Sequence, residues 1–152
     1  MTMIFEHVAI TVNDLDKSID FYTTIFDYKL ARKTDTNAYL YLDTDLLEIM
    51  QSISPKKIEK PNNPDDWWKK AHGPIGLSHI GFRVDNLDKT IKKLKAYGCE
   101  LVKPPYLFKP NMKFRRNFKD EKLKKIVTIP EKGWKIAYFS DPDGIIIEIL
   151  ER

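Results

Sequence analysis

The chain has 152 residues, 42% apolar and 32% charged, with a formal net charge of +4. That length fits one compact domain or two small modules sharing a core, and the apolar share excludes disorder as the default. No apolar run approaches the roughly 20 residues of a membrane helix, the N-terminus Met-Thr-Met-Ile-Phe-Glu-His has no signal-peptide character, and the single Cys99 cannot form an internal disulfide, so a cytoplasmic protein with no membrane partner is expected.

Residues 4 to 12 place Ile4, Val8, Ile10 and Val12 on alternate positions, which predicts a strand. Asn13 or Asp14 can cap the helix that follows, where Leu15, Ile19, Tyr22 and Phe26 recur at helical spacing. Residues 28–32, 38–42 and 46–51 read as three further strands, with a turn at Asp43-Thr44-Asp45. The first half, 1–53, is thus a β-α-β-β-β module.

Residues 54–76 read as a linker punctuated by Pro55, Pro61, Pro64, Pro74, Gly73 and Gly76. It carries Trp67 and Trp68, read as packing residues, and His72, read as an exposed loop residue. A second module, 77–152, then begins. It has a strand at 78–84, a helix from Asn86 to about Tyr97 ended by Gly98, a short strand at 100–102, and strands at 135–139 and 145–150 around Asp141-Pro142-Asp143-Gly144. Cys99, at the helix-to-strand turn, reads as a small core residue.

The module is written twice. Residues 7–19 read His-Val-Ala-Ile-Thr-Val-Asn-Asp-Leu-Asp-Lys-Ser-Ile, and residues 79–91 read His-Ile-Gly-Phe-Arg-Val-Asp-Asn-Leu-Asp-Lys-Thr-Ile. Such a long repeat signals duplicated structural units. The second copy differs by an insertion at about 103–133, which holds ten Lys and Arg against three acidic residues. That segment is +7, leaving −3 for the rest, so the basic character is local. Nucleic-acid binding, which needs a wider basic face, is not expected.

Each copy has one histidine early in its first strand and one glutamate in its last, flanked as Leu47-Glu48-Ile49 and Ile147-Glu148-Ile149. Strand alternation sends the carboxylates to the face opposite their aliphatic neighbours, and His7 and His79 alternate in the same way with Val8 and Ile80. Two imidazoles and two carboxylates converging from a pseudo-two-fold pair would make a divalent metal site with positions open to substrate, suited to Zn, Ni, Co, Fe or Mn.

The paired modules, the repeated His-strand-Leu-Asp motif and the Asp141-Pro142-Asp143-Gly144 to Glu148 ending closely resemble the vicinal-oxygen-chelate superfamily. That family includes glyoxalase I, methylmalonyl-CoA epimerase, extradiol dioxygenases, and fosfomycin and bleomycin resistance proteins. The resemblance implies an α+β fold whose two tandem β-α-β-β-β modules form a curved mixed sheet around a metal site. It implies His7, Glu48, His79 and Glu148 as ligands, in the order found in bacterial glyoxalase I, and one divalent metal ion holding two vicinal substrate oxygens. A fourth protein ligand at Glu48 argues against oxygen chemistry, and methylmalonyl-CoA epimerase usually has Gln there. The reading is therefore a metal-dependent lyase or isomerase acting on a small α-hydroxycarbonyl or thioester. In such chemistry the metal acidifies the C–H beside a bound oxygen and stabilises the resulting enediolate. Glu148 is the catalytic base by analogy, with Glu48 as the second candidate. The alternatives are an epimerase-like isomerase and a non-enzymatic drug-binding resistance protein.

Glyoxalase I typically has an arginine four residues after its first ligand, where this chain has Thr11. Arg83 takes the matching place in the second copy. Together with Lys113, Arg115 and Arg116 of the insertion, it is the candidate for binding an anionic substrate group. The expected partners are a small-molecule substrate and a second copy of the chain in a homodimer.

Overall fold

The structure is a computed structural model that describes residues 5–56, 66, 76–109 and 132–151. The described elements run β1 (His7–Val12), α1 (Leu15–Phe26), β2 (Lys29–Lys33), β3 (Asn37–Leu42), β4 (Asp45–Gln51), β5 (Ile80–Val84), α2 (Leu87–Tyr97), β6 (Leu101–Phe108), β7 (Trp134–Ser140) and β8 (Ile146–Glu151). They make two four-stranded mixed sheets of matching order, β1-β4-β3-β2 and β5-β8-β7-β6. In each, the first strand pairs parallel with the last and the other pairings are antiparallel. These are the two tandem β-α-β-β-β modules expected from the repeat, one sheet per module. By contacts the chain divides into two units, residues 1–60 with 141–145, and residues 61–140 with 146–152.

In the first unit the alternation of β1 and β4 buries Ile10, Val12, Leu47 and Ile49, while β3 adds Ala38 and Leu40. Helix α1 covers this face with Leu15, Ser18, Phe21, Tyr22, Ile25 and Phe26, the spacing of one helical stripe. Phe21 and Tyr22 are wholly inaccessible and meet edge to face at 5.0 Å. The sheet's opposite face keeps His7, Ala9, Thr11, Tyr41 and Met50 exposed.

Of the two capping candidates, Asp14 takes the role, its side chain accepting from the Lys17 backbone N–H at 3.0 Å. Asn13 serves the turn at 141–145 instead. Its backbone N–H and Nδ2 both donate to Asp143 Oδ1, at 3.1 and 2.6 Å. Ser18 Oγ donates to Asp143 Oδ2 at 3.3 Å, and the Tyr22 hydroxyl donates to Asp141 Oδ2 at 3.1 Å. Asp141 Oδ1 also accepts the backbone N–H groups of Asp143 and Ile145. Both aspartates are buried and both are satisfied, as buried carboxylates must be. Burial outweighs these donors at Asp141 and pushes its pKa up to about 6.

In the second unit α2 buries Leu87, Ile91 and Leu94, with Asn86 as its cap at 2.8 Å from the Lys89 N–H. Gly98, at φ +92°, closes it in the left-handed conformation, as the sequence predicts. Cys99, expected in the core, is only partly buried. The short strand expected at 100–102 is in fact eight residues long and runs into what reads as the basic insertion. Pro104 and Pro105 disguise it in the sequence. They are accommodated because β6 is an edge strand, paired only with β7, and its register shifts on both sides of Lys103. Val102, Ile136, Tyr138 and Ile146 form a buried cluster to which Tyr106, Trp134 and Leu150 add partial cover. No described helix is long and apolar enough to cross a membrane.

Candidate metal centre

The sheet register places the candidate ligands. Glu48 on β4 lies opposite Ala9 of β1 on one side and Tyr39 of β3 on the other. Its neighbours Leu47 and Ile49 are buried at 2% and 0% exposure, so the carboxylate occupies the other face. His7, two residues before Ala9, projects on that same face, and its Nε2 stands 3.4 Å from Glu48 Oε2. The second unit repeats the arrangement. Glu148 lies between Gly81 and Tyr138, with Ile147 and Ile149 buried beside it. His79 Nε2 stands 3.7 Å from Glu148 Oε2. His79 Nδ1 lies 3.1 Å from Ser78 Oγ, which orients the ring so that Nε2 faces the carboxylate.

A tyrosine completes each pair. The Tyr138 hydroxyl donates to Glu148 Oε1 at 2.6 Å, and Tyr39 stands directly across the β3–β4 pairing from Glu48. Each ring also meets its histidine edge to face with centroids 6.1 Å apart. Burial, and then the bond to Glu148, push the Tyr138 hydroxyl well above the usual phenol range. The bond to Glu48 raises Tyr39 likewise. Glu48 has one further donor, Asn37 Nδ2, at 2.9 Å from Oε1. The donors Asn37 and then Tyr39, with His7 nearby, hold its carboxyl below the usual range.

The spacing suits metal ligation. Two donors each about 2.1 Å from one ion, at angles between octahedral and tetrahedral, lie roughly 3.0–3.4 Å apart. The His7–Glu48 pair meets that separation and the His79–Glu148 pair is within a small rotation of it. Tyr138 occupies Oε1 of Glu148 and leaves Oε2 toward the histidine, as for a monodentate ligand. The structure gathers the four candidates as two pairs, and among the described residues no three His, Cys, Asp or Glu side chains form one metal-holding group.

Arg83 stands two residues beyond Gly81 on β5, exposed and on the strand face shared with Gly81. Lys113, Arg115 and Arg116 lie outside the described residues, as do Trp67, Trp68 and His72. The tyrosines and Asn37 escape a search for metal ligands. A signal for the tyrosines does exist, because Ala38-Tyr39 recurs as Ala137-Tyr138, nine and ten residues ahead of the respective glutamates.

Comparison with known proteins agrees with this geometry. A family model described as the glyoxalase/bleomycin resistance protein/dioxygenase superfamily matches residues 4–149. The chain is 30% identical over 155 residues to a probable chloroplastic lactoylglutathione lyase of Arabidopsis thaliana, covering 96% of this chain but only 35% of that protein. It is 29% identical over 150 residues to a probable lactoylglutathione lyase of Vibrio cholerae, covering 96% of this chain and 88% of that one. Among solved structures, a glyoxalase family protein from Enterococcus faecalis superposes with a TM-score of 0.64 at 22% identity, covering 97% of both chains. A fosfomycin resistance protein from Listeria monocytogenes, solved with manganese(II) and a dihydroxypropylphosphonic acid, superposes at 0.61 and 20% identity, covering 98% of this chain and 90% of that one. With the repeated fold and the repeated His-Glu pairs, the match over nearly the whole sequence has one reading: the chain belongs to the glyoxalase/bleomycin resistance protein/dioxygenase superfamily.

Proposed function

We propose that the chain is a metal-dependent lyase or isomerase of the glyoxalase type, acting on a small α-hydroxycarbonyl or thioester. One observation carries this reading: a His-Glu pair, 3.4 Å apart in the first module and 3.7 Å in the second, occurs at matched places in both, each beside a tyrosine ring. The lactoylglutathione lyases among its relatives support the same class.

His7, Glu48, His79 and Glu148 would hold one divalent ion. When bound, such an ion polarises a substrate oxygen and acidifies the adjacent C–H. The remaining work falls to the chain. Tyr138 holds Oε1 of Glu148 and leaves Oε2 facing His79, so Oε2 is the oxygen that would take a proton from one carbon and return it to the next. The Tyr138 hydroxyl resists ionisation and stays a donor throughout. Arg83, exposed on the strand that begins beside His79, would pair with an anionic substrate group.

The test is enzymatic. The chain, loaded with Ni, Zn or Co, is assayed with methylglyoxal plus thiols and, in parallel, for solvent-deuterium exchange into acyl-CoA thioesters. Turnover in the first identifies a glyoxalase-type lyase and exchange in the second an epimerase-type isomerase. Neither, in a chain shown to hold metal, would sink the reading.

A further inference from the structure

The outer strand of the first sheet carries two cations that metal ligation does not require. In a regular pairing, Leu30, Ala31 and Arg32 of β2 would pass Leu40, Tyr39 and Ala38 of β3, and Arg32 would face the helix with Ala38. Instead Arg32 lies opposite Tyr39, because Ala31 is an extra residue in the strand, a β-bulge. A one-residue slip exchanges the faces, so Arg32 joins the face of Tyr39 and of Glu48, its partner across β3 and β4. One row of the sheet therefore reads Arg32, Tyr39, Glu48, Ala9. Lys29, ahead of the bulge, lies opposite Tyr41 and takes the same face. Lys33 turns the other way and pairs with Asp16 of α1. Lys29 and Arg32 are exposed, and neither makes an ion pair with a described residue.

The second module keeps the bulge and changes the charge. Leu30-Ala31-Arg32 recurs as Leu101-Val102-Lys103 with the same register shift, and the matching row reads Lys103, Tyr138, Glu148, Gly81. There Lys103 Nζ lies over the Tyr106 ring, 4.3 Å from its centroid, and the residue matching Lys29 is Glu100. The second edge thus joins a cation to an acid, whereas the first carries two cations. Like charges on one edge repel, and a bound anion relieves that repulsion. Bulges beside functional sites commonly serve to re-aim a side chain, and this one aims Arg32 along the row that holds Glu48.

We propose that Arg32 and Lys29 are specificity-determining residues that hold an acidic group of the substrate, a carboxylate or a phosphate, at the outer edge of the first half-site. Neighbouring strands about 4.8 Å apart put the Arg32 backbone roughly 10 Å from that of Glu48, a span that an extended arginine side chain and a substrate of a few carbons cover together. Arginine suits either anion, since its planar fork meets two oxygens at once. The inference rests on the metal-centre reading above, and it adds to Arg83 a second and more strongly charged place for an anion.

The test uses the full chain loaded with cobalt(II) and three probes that each offer two vicinal oxygens to a metal. Acetohydroxamate has no further charge, succinic monohydroxamate adds a carboxylate, and phosphonoacetohydroxamate adds a phosphonate. Each is titrated against the visible cobalt bands, and melting curves establish that every variant is folded. At least one acidic probe should bind more tightly than acetohydroxamate, and the one preferred tells carboxylate from phosphate. Arg32→Gln should cut that preference about 5-fold, and the double variant with Lys29→Gln about 20-fold. Lys33→Gln, on the opposite face, should leave it intact. No preference in the parent chain, or one that the Arg32 and Lys29 variants keep, would overturn the proposal, as would its loss in Lys103→Gln with Arg32→Gln indifferent. In those cases cobalt bands that still shift with acetohydroxamate leave the metal reading standing, whereas a parent chain that takes up no cobalt removes both.

Discussion

Replacing Asp141 by Asn should change how stability depends on pH. Asp141 is 2% exposed, and its pKa is pushed from 3.8 to about 6, mainly by burial and further by the neighbouring charge of Asp143. Between those two values the folded chain keeps the proton and the unfolded chain releases it. The stability is therefore fully present below about pH 4 and is lost as pH rises through 6. A shift of roughly two units is worth about 3 kcal/mol at 1.36 kcal/mol per unit. Asparagine has no charge to lose. Its Oδ1 can accept the N–H groups of Asp143 and Ile145, and its Nδ2 can face the Tyr22 hydroxyl oxygen. Urea unfolding of both chains at intervals from pH 4 to 7.5 is the assay, and the difference between them cancels every other titrating group. The Asn variant should gain about 3 kcal/mol relative to the parent across that interval. A difference that stays flat with pH, or that moves in favour of the parent, would refute the account of the buried turn.

Other expectations follow from single contacts. Gly81→Ala should weaken metal binding several-fold in a cobalt or nickel titration while leaving the metal-free melting temperature nearly unchanged, because the added methyl crowds Glu148 Oε2 and not the backbone. Asp143→Ala should destabilise the chain by about 2–4 kcal/mol in urea unfolding, since it removes the acceptor of the Asn13 N–H, Asn13 Nδ2 and Ser18 Oγ together. Gln51→Leu should cost about 1–3 kcal/mol by the same measurement, because Gln51 accepts the first free N–H of α1, that of Leu15, and donates to the Asn13 carbonyl.

Much of the fold was legible because strand and helix alternation survive in one dimension. The repeated His-to-Ile stretch and the Leu-Glu-Ile and Ile-Glu-Ile triplets declare which face each residue takes, and the structure keeps His7 beside Glu48 and His79 beside Glu148 on those faces. What escaped was what depends on partners distant in sequence. An aromatic residue in a strand carries the pattern of a core residue, and nothing in that pattern shows that the Tyr138 hydroxyl bonds Glu148. Asn37 lies just outside the strand predicted at 38–42, and only the pairing of β3 with β4 brings it to Glu48. Asp141 and Asp143 read as turn formers, and turn chemistry says nothing of a buried network with Asn13, Ser18 and Tyr22 more than a hundred residues earlier. The end of β6 was hidden by Pro104 and Pro105, which local rules exclude from a central strand and an edge strand tolerates.

The central claim is that the repeated His-Glu pairs hold a divalent metal, and metal content reads it most directly. The chain is grown with Ni, Zn or Co, freed of loosely held ions, and its bound metal is counted beside that of Glu148→Gln and Glu48→Gln. The account predicts near-stoichiometric metal in the parent and a large loss in both variants. A parent chain that purifies without metal and shows no affinity for any of the three, or variants that retain the ion as firmly as the parent, would contradict it.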